Sequence, residues 1–182
     1  MKNDCESELT NNEILSLYHY WLHKSTIYKN LHLQRYQRLN KINKYFIIPV
    51  IILSTITGTA NFAQDQIPDE YLPFFVIGIG SLNILSALVT TIYQFLKVSD
   101  SAEQHKKSYI EWEKFFIHVK TEINRITISN EHIEIETVKS FKMDYIKLIE
   151  NSPLIPTYLI SQFYNRYHDY IYDENVLNIK KK

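Results

Sequence analysis

Two apolar runs without a single charged residue constrain this chain more than any other feature of it. The first reads YFIIPVIILSTITGTANFAQ from Tyr45, and the second reads YLPFFVIGIGSLNILSALVTTIYQFL up to Leu96. They extend for about 20 and about 26 residues, the length a helix needs to cross the hydrocarbon core of a bilayer. A core helix of a soluble bundle keeps a polar stripe toward water, and its apolar runs are usually only about 10–14 residues long. Both runs are therefore read as transmembrane helices, residues 45–63 and 71–96. The mean hydropathy of −0.24 hides them, because the rest of the chain is rich in Lys, Glu, Asn and Tyr.

The first run follows a long polar segment, which is not the layout of a cleaved signal peptide. Lys24, Lys29, Arg35, Arg38, Lys41 and Lys44 precede it, and Lys97, Lys106, Lys107 and Lys114 follow the second run. The connecting loop, 64–70, carries Asp65, Asp69 and Glu70 and no basic residue. The positive-inside bias then puts both termini on the cytoplasmic side and translocates only the loop; Tyr45, Phe46, Phe62, Tyr71, Phe74, Phe75, Tyr93 and Phe95 fall at headgroup depth.

With the hairpin taking about 50 of 182 residues, what remains suits one modest cytoplasmic unit, with no room for a separate catalytic domain. Twenty basic residues balance twenty acidic ones, which argues against a nucleic-acid binder, whose footprint is a net basic face. The lone Cys5 makes no internal disulfide and is expected to be inert in a reducing cytosol. Only three glycines beside abundant Ile, Asn and Lys suit an AT-rich genome.

The flanking segments read as helices, giving an all-α membrane protein. Over 11–44, with Asn12 as a candidate N-cap, Ile14, Leu17, Trp21, Tyr28, Leu31, Leu39 and Ile42 recur at helical spacing, with no Gly or Pro before Pro49, so this cytoplasmic helix is expected to run into the first span. Over 97–128, Val98, Ala102, His105, Tyr109, Trp112, Phe116, Val119, Ile123 and Ile126 alternate steps of four and three, a heptad seam. Nothing in the sequence interrupts the passage from the second span into it. Its expected partner is the aromatic face of the first helix or a second subunit. The helix should stop near Ser129 and Asn130. A helix over 131–150 follows, with Ile135, Val138, Phe141, Tyr145, Leu148 and Ile149 on one face, although the alternation in HIEIET blurs its start. A last helix over 157–172 opens after Pro156, with Leu159, Phe163, Tyr167 and Tyr170 on one side, before a tail ending in three lysines that reads as solvated charge.

Candidate chemistry is thin. His19 and His23 stand four apart but lack a Glu in zinc-protease spacing and a second ligand pair. There is no P-loop, dinucleotide fingerprint, nucleophile elbow or paired-cysteine motif, so neither an enzyme nor a cofactor or metal is expected. His105 occupies a seam position otherwise apolar, where it either specifies pairing, titrates near neutral pH, or is hydrogen-bonded inside an ordinary helix interface. Inside the spans, polar residues fall into stripes: Ser54, Thr57 and Asn61 in the first, and Asn83, Ser86, Thr90 and Gln94 in the second. Ser54 and Gly58 form a small-xxx-small pair. The stripes either hydrogen-bond to each other and hold the hairpin together, or line a water-filled path in an oligomer.

Taken together, the segment from Tyr20-Trp21 to Lys44, the stretch IPVIILSTITG from Ile48 to Gly58, and Ser101-Ala102-Glu103-Gln104-His105 with Tyr109 resemble the SLATT family. These are two-transmembrane effector domains that accompany nucleotide-synthesising and nucleotide-sensing proteins in bacterial conflict systems, with stand-alone relatives in large DNA viruses. The resemblance covers roughly residues 18–125 and rests on the order of short motifs around the hairpin. It implies a homo-oligomeric, pore-forming membrane effector. No sensor domain is fused to the chain as given, so a separate sensor or activator protein is expected to supply the trigger. The alternative is a non-conducting membrane anchor or scaffold, such as a viral membrane protein, that recruits partners through its cytoplasmic helices.

Overall fold

The computed structural model describes residues 11–129 and 134–171. Cys5, Asn130, the start of the HIEIET stretch and the terminal lysines lie outside the described residues, as do the side chains of Tyr167 and Tyr170. The described chain is helical, with no strand: α1 (Asn11–Ala63), a one-turn 3-10 helix (Gln64–Gln66), α2 (Leu72–Leu96), α3 (Val98–Ser129), α4 (Ile135–Asn151) and α5 (Thr157–Ile171). It packs as two compact units, one built from the described residues of Met1–Arg35 and Gln104–Lys182, the other from Tyr36–Glu103.

The first unit is a bundle of the N-terminal part of α1 with most of α3, and with α4 and α5. Its core gathers Ile14, Tyr18 and Trp21 of α1, Trp112, Phe115, Val119, Ile123 and Ile126 of α3, and Phe141 of α4. Tyr28 stacks on Trp112 with ring centroids 4.8 Å apart, and His32 meets His105 at 5.2 Å. As the α1 number rises the α3 number falls, so the two helices pack antiparallel. Trp112 is fully buried and its Nε1–H donates to Ser152 Oγ at 2.9 Å. That bond satisfies the donor that makes a tryptophan costly to bury. On α4, Phe141 is buried and Val138, Tyr145 and Leu148 lean on the core, whereas Ile135 and Ile149 are exposed. On α5, Leu159 and Phe163 close over Ile27 and Leu31.

The second unit is the hairpin. Leu39, Val98 and Ala102 form a small cluster, with Tyr36 and Tyr93 against it. Tyr93 also donates a short hydrogen bond to Asn43 Oδ1 and lies 6.0 Å from the ring of Phe46. Helix α1 continues through Pro49; the proline supplies no N–H, so the Tyr45 carbonyl loses its helical donor there. After the 3-10 turn, the N–H groups of Tyr71 and Leu72 both donate to Pro68 O, and Pro73 sits in the first turn of α2, where a missing N–H costs nothing.

The second apolar helix does not continue into the heptad helix. Lys97 takes a left-handed conformation, φ 46° and ψ 39°, and its N–H turns back to Gln94 O. This single residue separates α2 from α3. Such a break is normally made with Gly or Asn, because a side chain at positive φ is strained, and nothing in Leu96-Lys97-Val98 announces it.

Both apolar runs are long and apolar enough to cross a membrane, and little of either is buried. Ile48, Ile51, Ile52 and Ile56 of α1 and Phe74, Ile77, Ile84, Leu85, Leu88 and Phe95 of α2 are exposed, Phe95 at 84%. A core helix of a soluble bundle would have these side chains covered.

Candidate functional site

Within the hairpin the polar stripes divide into covered and uncovered members. Thr57 and Ser86 are buried and Thr90 is half-buried, while Ser54, Asn61, Asn83 and Gln94 are exposed. The Thr57 hydroxyl donates to Leu53 O at 3.0 Å and that of Thr90 to Ser86 O at 2.8 Å. Each threonine thus satisfies its hydroxyl within its own helix, as Ser and Thr do when no other acceptor is near. Among the described residues no hydrogen bond joins one stripe to the other; the bond that ties the two helices comes from Tyr93 and Asn43, at one end. The Ser54/Gly58 pair is not a close-packing surface within this chain, because a Cβ added at Gly58 would meet nothing within 4 Å.

In the bundle, the seam residues His105 and Trp112 are buried, but Tyr109 and Phe116 are only half-buried, and Ser108 and Phe115 are covered in their place. The apolar face of α3 is wider than one seam, and α4 decides which flank is covered: Phe115 lies 6.2 Å from Phe141 and 6.0 Å from Tyr145. Phe116 instead lies under the Lys29 ammonium, 3.8 Å from its ring centroid. The same ammonium pairs with Glu113 at 3.0 Å.

The most unusual polar feature of the bundle is the pair His32 and His105, both buried, with Nδ1 atoms 2.9 Å apart. One Nδ1 must carry a proton and the other must accept it. His32 Nε2 is buried with no partner, and a buried unpaired N–H costs more than a buried bare nitrogen. The network therefore assigns the proton to His32 Nδ1, donated to His105 Nδ1. A second proton has no good place: on His105 Nδ1 it would face another N–H, and on His32 Nε2 it would have no acceptor. Burial, then the neighbouring histidine, pushes His32 down to about 4. Burial, then the Arg35 guanidinium, does the same to His105. Beside the pair lies the Arg35 guanidinium of α1, which donates from Nη1 to Tyr158 OH on α5 at 2.8 Å. His105 is thus hydrogen-bonded inside the helix interface, and its burial disfavours the charged imidazolium.

Elsewhere the chemistry is sparse. His23 is lowered by burial and by Lys24, and burial with Glu122 nearby pushes the Tyr18 phenol up to about 12. Among the described residues no three His, Cys, Asp or Glu side chains converge as a metal site would require.

Sequence reasoning passed over Tyr18, Ser25, Ile27 and His32, all of them buried. The signal was present: Ile14, Tyr18, Trp21, Ser25, Tyr28, His32 and Leu39 keep heptad phase along α1. The polar members masked it, since Ser25 and His32 look like solvent positions in an apolar-only count. No protein-family model, no curated protein and no solved structure matches this chain.

Proposed function

We propose that this chain is a two-span membrane protein with both ends on the cytoplasmic side, which assembles with copies of itself and permeates the membrane it occupies, as an effector of the SLATT type. The observation that carries this reading is the exposure of the amides Asn61, Asn83 and Gln94, with Ser54, on spans whose exposed hydroxyls Thr55, Thr59, Ser81 and Thr91 bond back to their own helix and whose remaining exposed side chains are apolar or aromatic. In a lipid environment an amide facing hydrocarbon is costly, so polar residues inside spans face a bundle interior or a water-filled cavity. A second copy of the hairpin, or a water path between several copies, relieves that cost. The orientation comes from the lysines and arginines flanking the runs and the acidic loop between them. Activation would come from a separate sensor or activator protein.

The runner-up, a non-conducting anchor that recruits a partner, draws on a different surface: α4 exposes Met143, Ile146 and Ile149. Ion flux from liposomes, read beside the oligomeric size in nanodiscs, separates the two. As a pore, the reconstituted protein leaks small ions, and Asn83→Leu with Gln94→Leu removes the polar wall and the flux. Both side chains are exposed, so the melting temperature is retained. A monomer or dimer without flux refutes the pore, since it cannot enclose a path between hairpins.

A further inference from the structure

Where α1 enters its apolar run, one face carries a groove of about 500 Å³ lined by Lys41, Lys44, Tyr45, Ile48 and Pro49. Lys41, Lys44 and Ile48 follow each other by three and four residues, so the groove grades from charged to apolar along a single helix face. Both lysines are exposed, and among the described residues neither has a carboxylate within ion-pair distance. Tyr45 is 80% exposed and Ile48 53%, which in water would be an unfavourable arrangement for the apolar half. Pro49 adds an unpaired backbone acceptor, the Tyr45 carbonyl, at the same place.

We infer that this groove holds one anionic glycerophospholipid, its phosphate between the Lys41 and Lys44 ammoniums and its acyl chain along Ile48 and Pro49. The inference rests on the membrane reading and adds a specific ligand to it. Charge complementarity selects an anion, and the apolar floor selects a lipid over free phosphate: inorganic phosphate would gain nothing from Ile48 and Pro49, whereas an acyl chain covers them. A zwitterionic lipid brings its own ammonium and so gains less from the two lysines. Basic residues at the edge of an anionic bilayer contribute roughly a 5-fold preference each, so the pair is expected to supply about 30-fold.

Native mass spectrometry of the full chain in neutral detergent tests this, with phosphatidylglycerol, phosphatidylcholine of the same acyl chains, and inorganic phosphate as probes. The wild type should retain one phosphatidylglycerol per chain at concentrations where phosphatidylcholine does not bind. K41Q/K44Q should weaken that binding about 30-fold, K41R/K44R should restore it, and K106Q/K107Q, which removes the same charge from exposed positions on α3, should leave it unchanged. Equal loss in K106Q/K107Q, or no loss in K41Q/K44Q, overturns the groove. Displacement of the lipid by millimolar inorganic phosphate makes it a free-anion site and overturns the lipid. A parallel reconstitution into phosphatidylcholine vesicles, followed by an alkaline carbonate wash, separates the two levels. If neither wild type nor K41Q/K44Q stays with the vesicles, the membrane reading fails and the groove with it. If both stay and lipid binding ignores the lysines, the groove alone fails.

Discussion

Acidification should destabilise the bundle through His32 and His105. A free histidine takes a proton near 6.5, while both members of the pair are held down to about 4. Above pH 6.5 the folded and unfolded chains are both neutral at these sites, and the pair's contribution is fully present. As pH falls from 6.5 to 4 the unfolded chain binds protons that the folded chain refuses, so stability is lost across that window. At pH 5 the difference amounts to about 2 kcal/mol for one histidine, and about 2–4 kcal/mol for the pair, because the shared Nδ1–H···Nδ1 bond makes the two titrate together. Trp21 and Trp112 are the only tryptophans and lie in one core cluster of this bundle, so their emission reports its unfolding directly. Denaturant melts at pH 7.5 and pH 5 should therefore show the loss in the wild type and not in the double variant His32→Leu with His105→Leu, whose apolar pair has nothing to titrate. The other five histidines, His19, His23, His118, His132 and His168, remain in both proteins, so the difference between them isolates the pair. An equal acid loss in the two proteins would refute the reasoning. His105→Leu alone should be worse than the double variant by about 1–3 kcal/mol at pH 7.5, since it strands the His32 Nδ1–H in a buried site.

Two further perturbations follow from the packing. Trp112→Ala removes a fully buried ring together with the Ser152 bond, and should cost about 3–5 kcal/mol in a chemical melt; Tyr109→Ala, at a half-buried position, should cost clearly less, and equal costs would mean that α3 packs in a different phase. Lys97→Gly should raise the melting temperature by relieving about 1 kcal/mol of left-handed strain, whereas Lys97→Val should lower it; a loss with glycine would show that α2 and α3 are not joined by this conformation.

The sequence alone specified the helical character of the chain and the two uncharged runs, because both depend on local composition and on periodicities written along a single segment. It also specified most of α3's buried face and the end of α4 ahead of Pro153, where Ser and Pro act on their own neighbours. Three features needed the tertiary structure. The width of α3's apolar face left two flanks open, and only the arrival of α4, with Phe141 and Tyr145, covered Phe115 and left Tyr109 and Phe116 half-buried. The break at Lys97 rests on a backbone conformation that lysine does not favour, so no residue preference could signal it. The polar stripes have helical spacing in the sequence, yet which members are covered, Thr57 and Ser86, and which are left outward, Asn61, Asn83 and Gln94, is decided by how the two helices rotate against each other. Most of all, His105 could be recognised as an oddity but not understood, because its partner lies 73 residues away. A histidine's protonation is set by the groups packed around it, and those are brought together only by folding.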